Sequence, residues 1–323
     1  MTIHKKISVA MTTYNGEKYI KKQIESILNQ SLKVDEIIIC DDCSSDNTLS
    51  IVNNYPVKII KNKTQLGFKS NFKKAIKNCS GDYIFLCDQD DIWNTFKVEK
   101  MISIINSNPN IQVLASSFDY IDSNDKVIKI NEKKNYSNNN LYPHKVQKNQ
   151  LVNISFDDLI LANFFQGCSL VMTKNMKDYY INHFDNSIPH DWLLNLYASV
   201  NNSLYFYNDS LFYYRIHSNN TLGIPDVNET ATHHAKRSNN INIRLQQIRD
   251  TLNAIYIIKE NMPRYYYKRQ EYFEDFLSFL TKHIEYVEQK KVFHLILQNN
   301  NIWYRRIKSW RARLMDIIYV ITH

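Results

Sequence analysis

Glycine and proline are scarce in this sequence, whose 323 residues include five glycines and six prolines. An average chain is about 7% glycine, so a chain of this length would carry roughly four times as many. The five lie too far apart to form the GxGxxG loop of dinucleotide-binding sheets or the GxxxxGK phosphate loop. Collagen-like repeats and glycine-rich linkers are excluded as well. Each remaining glycine is a candidate for a special backbone position.

Long apolar runs and paired cysteines are also missing. The sequence has no run of eighteen apolar residues, and its start has neither the apolar length nor the small-residue cleavage site of a signal peptide. The five cysteines are odd in number and mostly lie in apolar runs, which favours reduced core thiols. Cys40 and Cys43 form a CxxC spacing but lack the second ligand pair of a zinc site. These features predict a cytoplasmic protein.

Positive charge is concentrated in the last third of the chain. Residues 1–230 carry 24 basic and 24 acidic side chains, whereas residues 231–323 carry 16 and 8, which accounts for the whole net charge of +8. We therefore expect two regions, with a boundary between residues 230 and 231.

Short apolar runs alternate with amphipathic stretches over the first 120 residues, which predicts α/β architecture with a parallel sheet covered on both faces. Strands are predicted at 7–13, 35–40, 83–87 and 166–172, with a strand pair at 204–207 and 211–216. A helix is predicted at 190–200, helices dominate from 239 onward, and the Asn-rich stretch 131–150 is predicted to be an exposed loop.

Acidic residues follow two of these strands, where α/β sheets bind ligands. Asp88, Asp90 and Asp91 come directly after YIFLC, and Asp41 and Asp42 close another strand. Carboxylates this close together suit a Mg²⁺ or Mn²⁺ ion that keeps sites for phosphate oxygens. The alternative is a turn followed by a helix N-cap, where Asp is favoured.

The stretches ISVAMTTYNGEKYI, DEIIICDDCSSDNT and LGFKSNF, with GDYIFLCDQDDIW, resemble the nucleotide-sugar half of inverting glycosyltransferases of family 2. The resemblance spans about residues 7–217. It implies the GT-A fold, a Rossmann-like domain with a mixed, mostly parallel sheet flanked by helices, here followed by an all-helical C-terminal region. The spellings CDQDDIW and YRIHSNNTLG resemble the rhamnosyltransferase-like branch of polysaccharide-assembly enzymes.

The resemblance also implies a set of site residues. Its DxD motif falls on Asp88, Gln89 and Asp90, which would bind the nucleotide sugar through Mn²⁺ or Mg²⁺, with Asp90 the more direct metal ligand and His217 a further one. The positions that frame the nucleoside are Thr13, Tyr14, Asn15, Glu17, Asp41, Asp42 and Asn71. The expected contacts of the donor sugar and acceptor are Asp91, Trp93, Gln166, Gly167, His190, Trp192 and Arg215.

Inverting transfer needs a base for the acceptor hydroxyl. In this family an Asp or Glu at the start of a helix supplies it, and the matching pair here is His190 and Asp191. We expect Asp191 to be the base, with a helix-capping role as the alternative.

The resemblance thus implies a metal-dependent inverting transferase that moves a sugar, here expected to be rhamnose, from a dTDP- or UDP-sugar to a lipid-linked or polymeric glycan. A galactosyl- or N-acetylhexosaminyltransferase using a UDP-sugar is the alternative within the fold. A non-catalytic protein that binds membrane or nucleic acid through its basic tail is the alternative of another class, although we expect no nucleic-acid partner.

Residues 302–323 combine an apolar stripe at helical spacing with five cations in nine residues, Arg305 to Arg313. This pattern is typical of an interfacial helix on an anionic membrane, at the inner face of the cell membrane. Packing on its own domain, or a homodimer through the C-terminal helices, explains the stripe equally well.

Overall fold

The structure is a computed structural model that describes residues 4–129, 137, 142–217 and 240–322. Its described residues fall into two compact units. The first contains residues 4–129, 137, 142–156 and 163–217, and the second contains residues 157–162 and 240–322. The expected boundary at residues 230 and 231 lies outside the described residues.

A ten-stranded sheet forms the centre of the first unit, and the strands are β1 Ile7–Thr13, β2 Glu36–Asp41, β3 Lys58–Lys61, β4 Tyr83–Cys87, β5 Ile92–Trp93, β6 Val113–Ile121, β7 Val127–Ile128, β8 Leu151–Asn153, β9 Leu170–Thr173 and β10 Leu204–Arg215. The main order is β3-β2-β1-β4-β9-β6-β10-β5, while β7 pairs with β6 and β8 with β10. β3, β2, β1 and β4 run parallel, and β9 runs antiparallel to both of its neighbours. The sheet is therefore mixed and mostly parallel in the half that contains β1, as expected.

Seven helices begin in this part of the chain: α1 Ile20–Leu28, α2 Thr48–Val52, α3 Phe68–Asn78, α4 Lys97–Ser107, α5 Phe156–Leu159, α6 Lys174–Asn182 and α7 His190–Val200. The apolar spacing fixes the buried face, and in α1 the residues Ile20, Ile24 and Ile27 are fully buried. The central strands β1 and β4 are buried on both faces, and β4 is accordingly apolar throughout, while β1 is apolar over residues 9–11. This burial explains why the observed bounds of β1, β4 and α7 equal the predicted ones.

Three expectations are corrected. Residues Gly167–Ser169 form a 3₁₀ turn ahead of β9, because the backbone N–H and hydroxyl of Ser169 both donate to the carbonyl of Gln166. The expected strand pair is one strand, β10, in which the polar residues Asn208 and Asp209 form a bulge rather than a turn. Asn208 there donates to the carbonyls of Val146 and Gln150.

The third correction concerns buried residues of the expected exposed loop at 131–150, whose described residues 144, 145 and 147–150 are exposed as expected. Residues 131–136 and 138–141 lie outside the described residues, so the expectation is open for them. In the described remainder, Tyr142 and Val146 are buried. The Tyr142 ring packs against those of Phe165 and Phe206, with centroids 5.6 and 6.0 Å away.

The second unit is helical, with α8 Ile241–Asn261, α9 Pro263–Lys268, α10 Gln270–Glu288, α11 Val292–Gln298, α12 Ile302–Ile307 and α13 Trp310–Thr322. Pro263 begins α9, as predicted, because its missing N–H is not needed in the first turn. Leu245, Val287, Leu295 and Val320 form one buried cluster that joins α8, α10, α11 and α13. The helical C-terminal region is thus confirmed. No described helix is long and apolar enough to span a bilayer.

Candidate active site

A cavity of about 950 Å³ opens at the carboxyl ends of β1, β2 and β4 in the first unit. Its size suits a nucleotide-sized ligand. Of the expected site residues, thirteen line it: Thr13, Tyr14, Asn15, Asp42, Asn71, Asp88, Gln89, Asp90, Gln166, Gly167, His190, Asp191 and His217. Residues that are distant in sequence meet in this cavity, since the parallel strands all end at the same edge of the sheet.

Asp42 organises one wall of the cavity. Its carboxylate accepts hydrogen bonds from the Leu66 and Gly67 backbone N–H groups, at 2.7 and 2.9 Å, and from the Asn62 amide at 2.7 Å. Gly67 has a φ of 77°, a conformation that a side chain would strain. Asn71 extends this wall by donating to the Cys40 carbonyl. Asp42 thereby fixes the loop that precedes α3.

Gln89 joins the ends of β1 and β4. Its amide oxygen accepts from the backbone N–H of Tyr14 at 2.9 Å, and its amide nitrogen donates to the Tyr14 carbonyl at 3.0 Å. The neighbouring Asn15 adopts a φ of 47° and accepts a hydrogen bond from the backbone N–H of Ser45. Tyr14 itself is half exposed toward solvent.

The acidic cluster after β4 combines two carboxylates with an imidazole. A distance of 2.8 Å separates Nε2 of His217 from an oxygen of Asp90, and the Tyr19 ring lies beside His217 with centroids 4.9 Å apart. Burial, and then the charge of Asp90, raise the pKa of Asp88 to about 7. Negative charge in this cluster is therefore only partly compensated by the protein.

These residues fit a divalent cation. The carboxylates of Asp88 and Asp90 are the oxygen donors that Mg²⁺ and Mn²⁺ prefer, and both line the cavity. A cation would offset the repulsion that raises the pKa of Asp88. Asp88, Asp91 and Cys168 also lie close enough together to share an ion. Burial raises the pKa of the Cys168 thiol well above its ordinary value, so that set suits a hard cation less well.

His190 and Asp191 open α7 and also line the cavity. The His190 ring stacks on Phe72 at a centroid distance of 4.2 Å, and neither of its nitrogens has a hydrogen-bond partner among the described residues. Burial holds the pKa of His190 below its ordinary value, because its buried surroundings disfavour the charged ring. Asp191 is 4% exposed and accepts from the backbone N–H of Trp192 at 2.8 Å. Pro189 is the N-cap residue, so Asp191 lies in the first turn.

Gly167 lies directly against this pair. A Cβ at that position would stand 2.8 Å from Nε2 of His190 and 3.9 Å from Cβ of Asp191. The absence of a side chain at residue 167 is thus a condition for the observed position of His190.

Six expected site residues do not line the cavity: Glu17, Asp41, Asp91, Trp93, Trp192 and Arg215. We expected all of them to contact substrate, and their surroundings explain the difference. Trp93 and Trp192 are each 3% exposed and pack in the core. Glu17 accepts hydrogen bonds from the backbone and side chain of Asn47.

The other three, Asp41, Arg215 and Asp91, form hydrogen bonds inside the protein beneath the cavity surface. Asp41 accepts from the hydroxyl of Thr13 at 2.8 Å. Arg215 is fully buried, and its guanidinium donates to the carbonyls of Asp90 and Asp122 and pairs with Asp125 at 2.6 Å. Asp91, also buried, accepts from the Arg215 backbone N–H at 3.1 Å. Burial raises the pKa of Asp91 well above its ordinary value.

Several lining residues were not predicted, among them Tyr19, Phe68, Phe72, Asp122 and Tyr214. Phe68 and Phe72 stand four residues apart at the start of α3, which puts both on one helix face. That spacing was visible in LGFKSNF, but it is equally typical of core packing.

A sheet that gathers polar side chains at the ends of parallel strands is the arrangement of nucleotide-binding α/β proteins. A family model described as glycosyl transferase family 2 matches residues 8–167. The dTDP-rhamnosyl transferase RfbG of Shigella flexneri is 30% identical over 236 residues, which cover 66% of this chain and 73% of RfbG. The chain therefore belongs to glycosyl transferase family 2, and the sequence-based expectation of a glycosyltransferase is confirmed.

A second relative is the UDP-Glc:alpha-D-GlcNAc-diphosphoundecaprenol beta-1,3-glucosyltransferase WfgD of Escherichia coli. It is 33% identical over 149 residues, which cover 45% of this chain and 54% of WfgD. The chain spans 42% of another relative, EpsE of Bacillus subtilis.

Among solved structures, residues 1–349 of S. aureus TarS in complex with UDP-GlcNAc match with a TM-score of 0.54 at 15% identity. The match covers 98% of this chain and 89% of the TarS chain. This likeness confirms the GT-A fold.

Proposed function

We propose that this chain transfers a sugar from a nucleoside diphosphate sugar to a hydroxyl of a lipid-linked or polymeric glycan, with inversion, in cell-surface polysaccharide synthesis. The observation that carries the proposal is one cavity lined by Asp88, Asp90 and Asp191 together. The displacement requires a group that compensates the negative charge of the leaving diphosphate and a base that accepts the proton of the acceptor hydroxyl. The names of RfbG and WfgD describe sugar transfer from a dTDP-linked donor and a UDP-linked donor, respectively.

In the proposed reaction Asp191 accepts the proton of the acceptor hydroxyl while that oxygen attacks the anomeric carbon. The bond between the anomeric carbon and the diphosphate oxygen breaks, and the nucleoside diphosphate leaves with the electron pair. Asp191 suits this role because its carboxylate lies at the cavity wall, and its position is set by the first turn of α7. Its bond to the Trp192 N–H orients the carboxylate.

Asp88 and Asp90 would hold a Mg²⁺ or Mn²⁺ ion, which when bound neutralises charge on the leaving diphosphate. His217 lies 2.8 Å from Asp90 and would either orient that carboxylate or act as a further ligand. Thr13, Asp42 and Asn71 would frame the nucleoside. Gln166, Gly167 and His190 would contact the transferred sugar or the acceptor.

Rhamnose from a dTDP-linked donor is the sugar we propose, because RfbG matches both more of this chain and more of its own length than WfgD does. A hexose from a UDP-linked donor is the second candidate. It is favoured by the glucosyl donor in the name of WfgD and by the UDP-GlcNAc bound to TarS.

The substitution Asp191→Asn tests the proposed base. It keeps the shape of the side chain but removes the proton acceptor, so we expect transfer to fall by about 100-fold or more. Donor affinity and thermal unfolding should stay as in the unmodified protein. Asp178→Asn, at an exposed position of α6, is the matched control. Full transfer activity in Asp191→Asn, or a product with the donor's anomeric configuration by NMR, would remove the proposed mechanism.

A further inference from the structure

The last described helix of the second unit, α13, buries one acidic side chain and exposes several large apolar ones. In α13 the fully buried side chain is Asp316, while Trp310, Leu314, Ile318 and Ile321 are exposed. Trp310 and Ile321 are 63% and 64% exposed. These four residues follow each other at intervals of four, four and three, so they share one face of the helix.

Helix α11 adds apolar side chains to the same part of the unit. Leu295 anchors it in the buried cluster that also contains Val320 of α13. Three of its other apolar residues, Phe293, Ile296 and Leu297, are exposed, with Phe293 at 67%. We call the seven side chains the docking face: Phe293, Ile296, Leu297, Trp310, Leu314, Ile318 and Ile321.

Charge in the segment that carries the docking face is mainly positive, although Lys291 pairs with Glu285 of α10. Residues 289–322, all of which the structure describes, contain seven cations and a single acidic residue, Asp316. Asp316 is buried and bonded to Arg244 and Lys308, each at 2.7 Å, so it offers no negative charge at the surface. Arg305 and Arg311 are exposed, and Arg311 lies over the Trp310 ring. Exposed apolar side chains rimmed by one sign of charge mark an interaction surface.

We propose that the docking face binds an anionic lipid bilayer, with the apolar side chains entering the acyl boundary and the arginines contacting lipid phosphates. This combination of Trp, aliphatic residues and Arg is the one that interfacial helices use. A symmetric dimer through this face would bring cations opposite cations, with no surface carboxylate of residues 289–322 to pair them. The charge therefore favours anionic lipid over a second copy of the chain.

Co-sedimentation of the full chain with vesicles tests the proposal. One set of vesicles is phosphatidylcholine alone, and the other is phosphatidylcholine with phosphatidylglycerol in roughly equal parts. We expect binding to the anionic set, weakened by added salt because the attraction is screened. The double substitution Arg305→Gln with Arg311→Gln should lower the partition coefficient about fivefold for each cation. Trp310→Ser with Ile318→Ser should lower it at least tenfold.

Matched controls sit on other helices of the same unit. Tyr256→Ser removes an exposed ring from α8, and Lys282→Gln removes an exposed cation from α10. Both should bind as the unmodified protein does. Three results would overturn the proposal: no binding to anionic vesicles, equal loss in the controls, or binding to both vesicle types that salt leaves unchanged. A dimer in sedimentation velocity that Trp310→Ser dissociates, without vesicle binding, would assign the face to a second copy instead.

Discussion

Replacing Gly167 by alanine should displace His190 and, through it, the proposed base Asp191, while leaving both side chains chemically unchanged. The added Cβ would stand 2.8 Å from Nε2 of His190, whereas ordinary contacts of a Cβ are 3.4–4 Å. The imidazole must therefore move by about 0.6 to 1.2 Å, and its stacking on Phe72 opposes that movement. We expect a loss of about 1–3 kcal/mol in the free energy of unfolding. Because Asp191 follows His190 in the same turn, transfer should fall by about 100-fold for a displacement near 1 Å.

A double-mutant cycle separates this effect from a general loss of stability. His190→Ala removes the ring that the new methyl group would strike, so Gly167→Ala should cost much less in that background. The coupling is read from urea unfolding and from initial rates of transfer. Two results would contradict this prediction. One is a Gly167→Ala variant as stable and as active as the unmodified protein, and the other is an equal loss of stability with and without the His190 ring.

Two further predictions concern the buried charges of the second unit. Asp316→Ala leaves Lys308 and Arg244 buried without their partner and should cost about 3–5 kcal/mol of stability, measured by urea unfolding; a cost below that of an ordinary surface substitution would contradict it. Burial, and then the charge of Lys308, hold the pKa of His283 at about 4, against 6.5 in the unfolded chain. As the pH falls from 7 to 5, His283 takes up a proton in the unfolded chain but not in the folded protein. The free energy of unfolding should therefore fall by about 2 kcal/mol over this range. His283→Gln should reduce that slope, and an unchanged slope would refute the assignment.

The strands and the principal site motifs were predictable because they depend on local pattern. β1 and β4 are buried on both faces, which favours apolar residues, and β4 is apolar throughout. Asp88, Asp90 and Asp191 were predicted from motif and placement; all three line the cavity, and their roles stay predictions.

What the sequence could not supply was the direction in which neighbouring polar side chains point. Asp90 and Asp91 are adjacent, yet one lines the cavity and the other bonds the backbone of Arg215 inside the protein. Arg215 ends β10, and its full burial depends on Asp125 and on carbonyls that are distant in sequence. The bulge at Asn208 likewise resembles a turn until its partners in the preceding segment are known.

The most direct test of the central claim is binding of a panel of UDP-, dTDP- and GDP-sugars to the full chain in the presence of Mn²⁺, measured by calorimetry. We expect at least one donor to bind. Chelation of the metal, or Asp90→Asn, should abolish that binding, whereas Asp178→Asn should leave it unchanged. Absence of binding for every donor, or binding that is indifferent to both metal and Asp90, would contradict it.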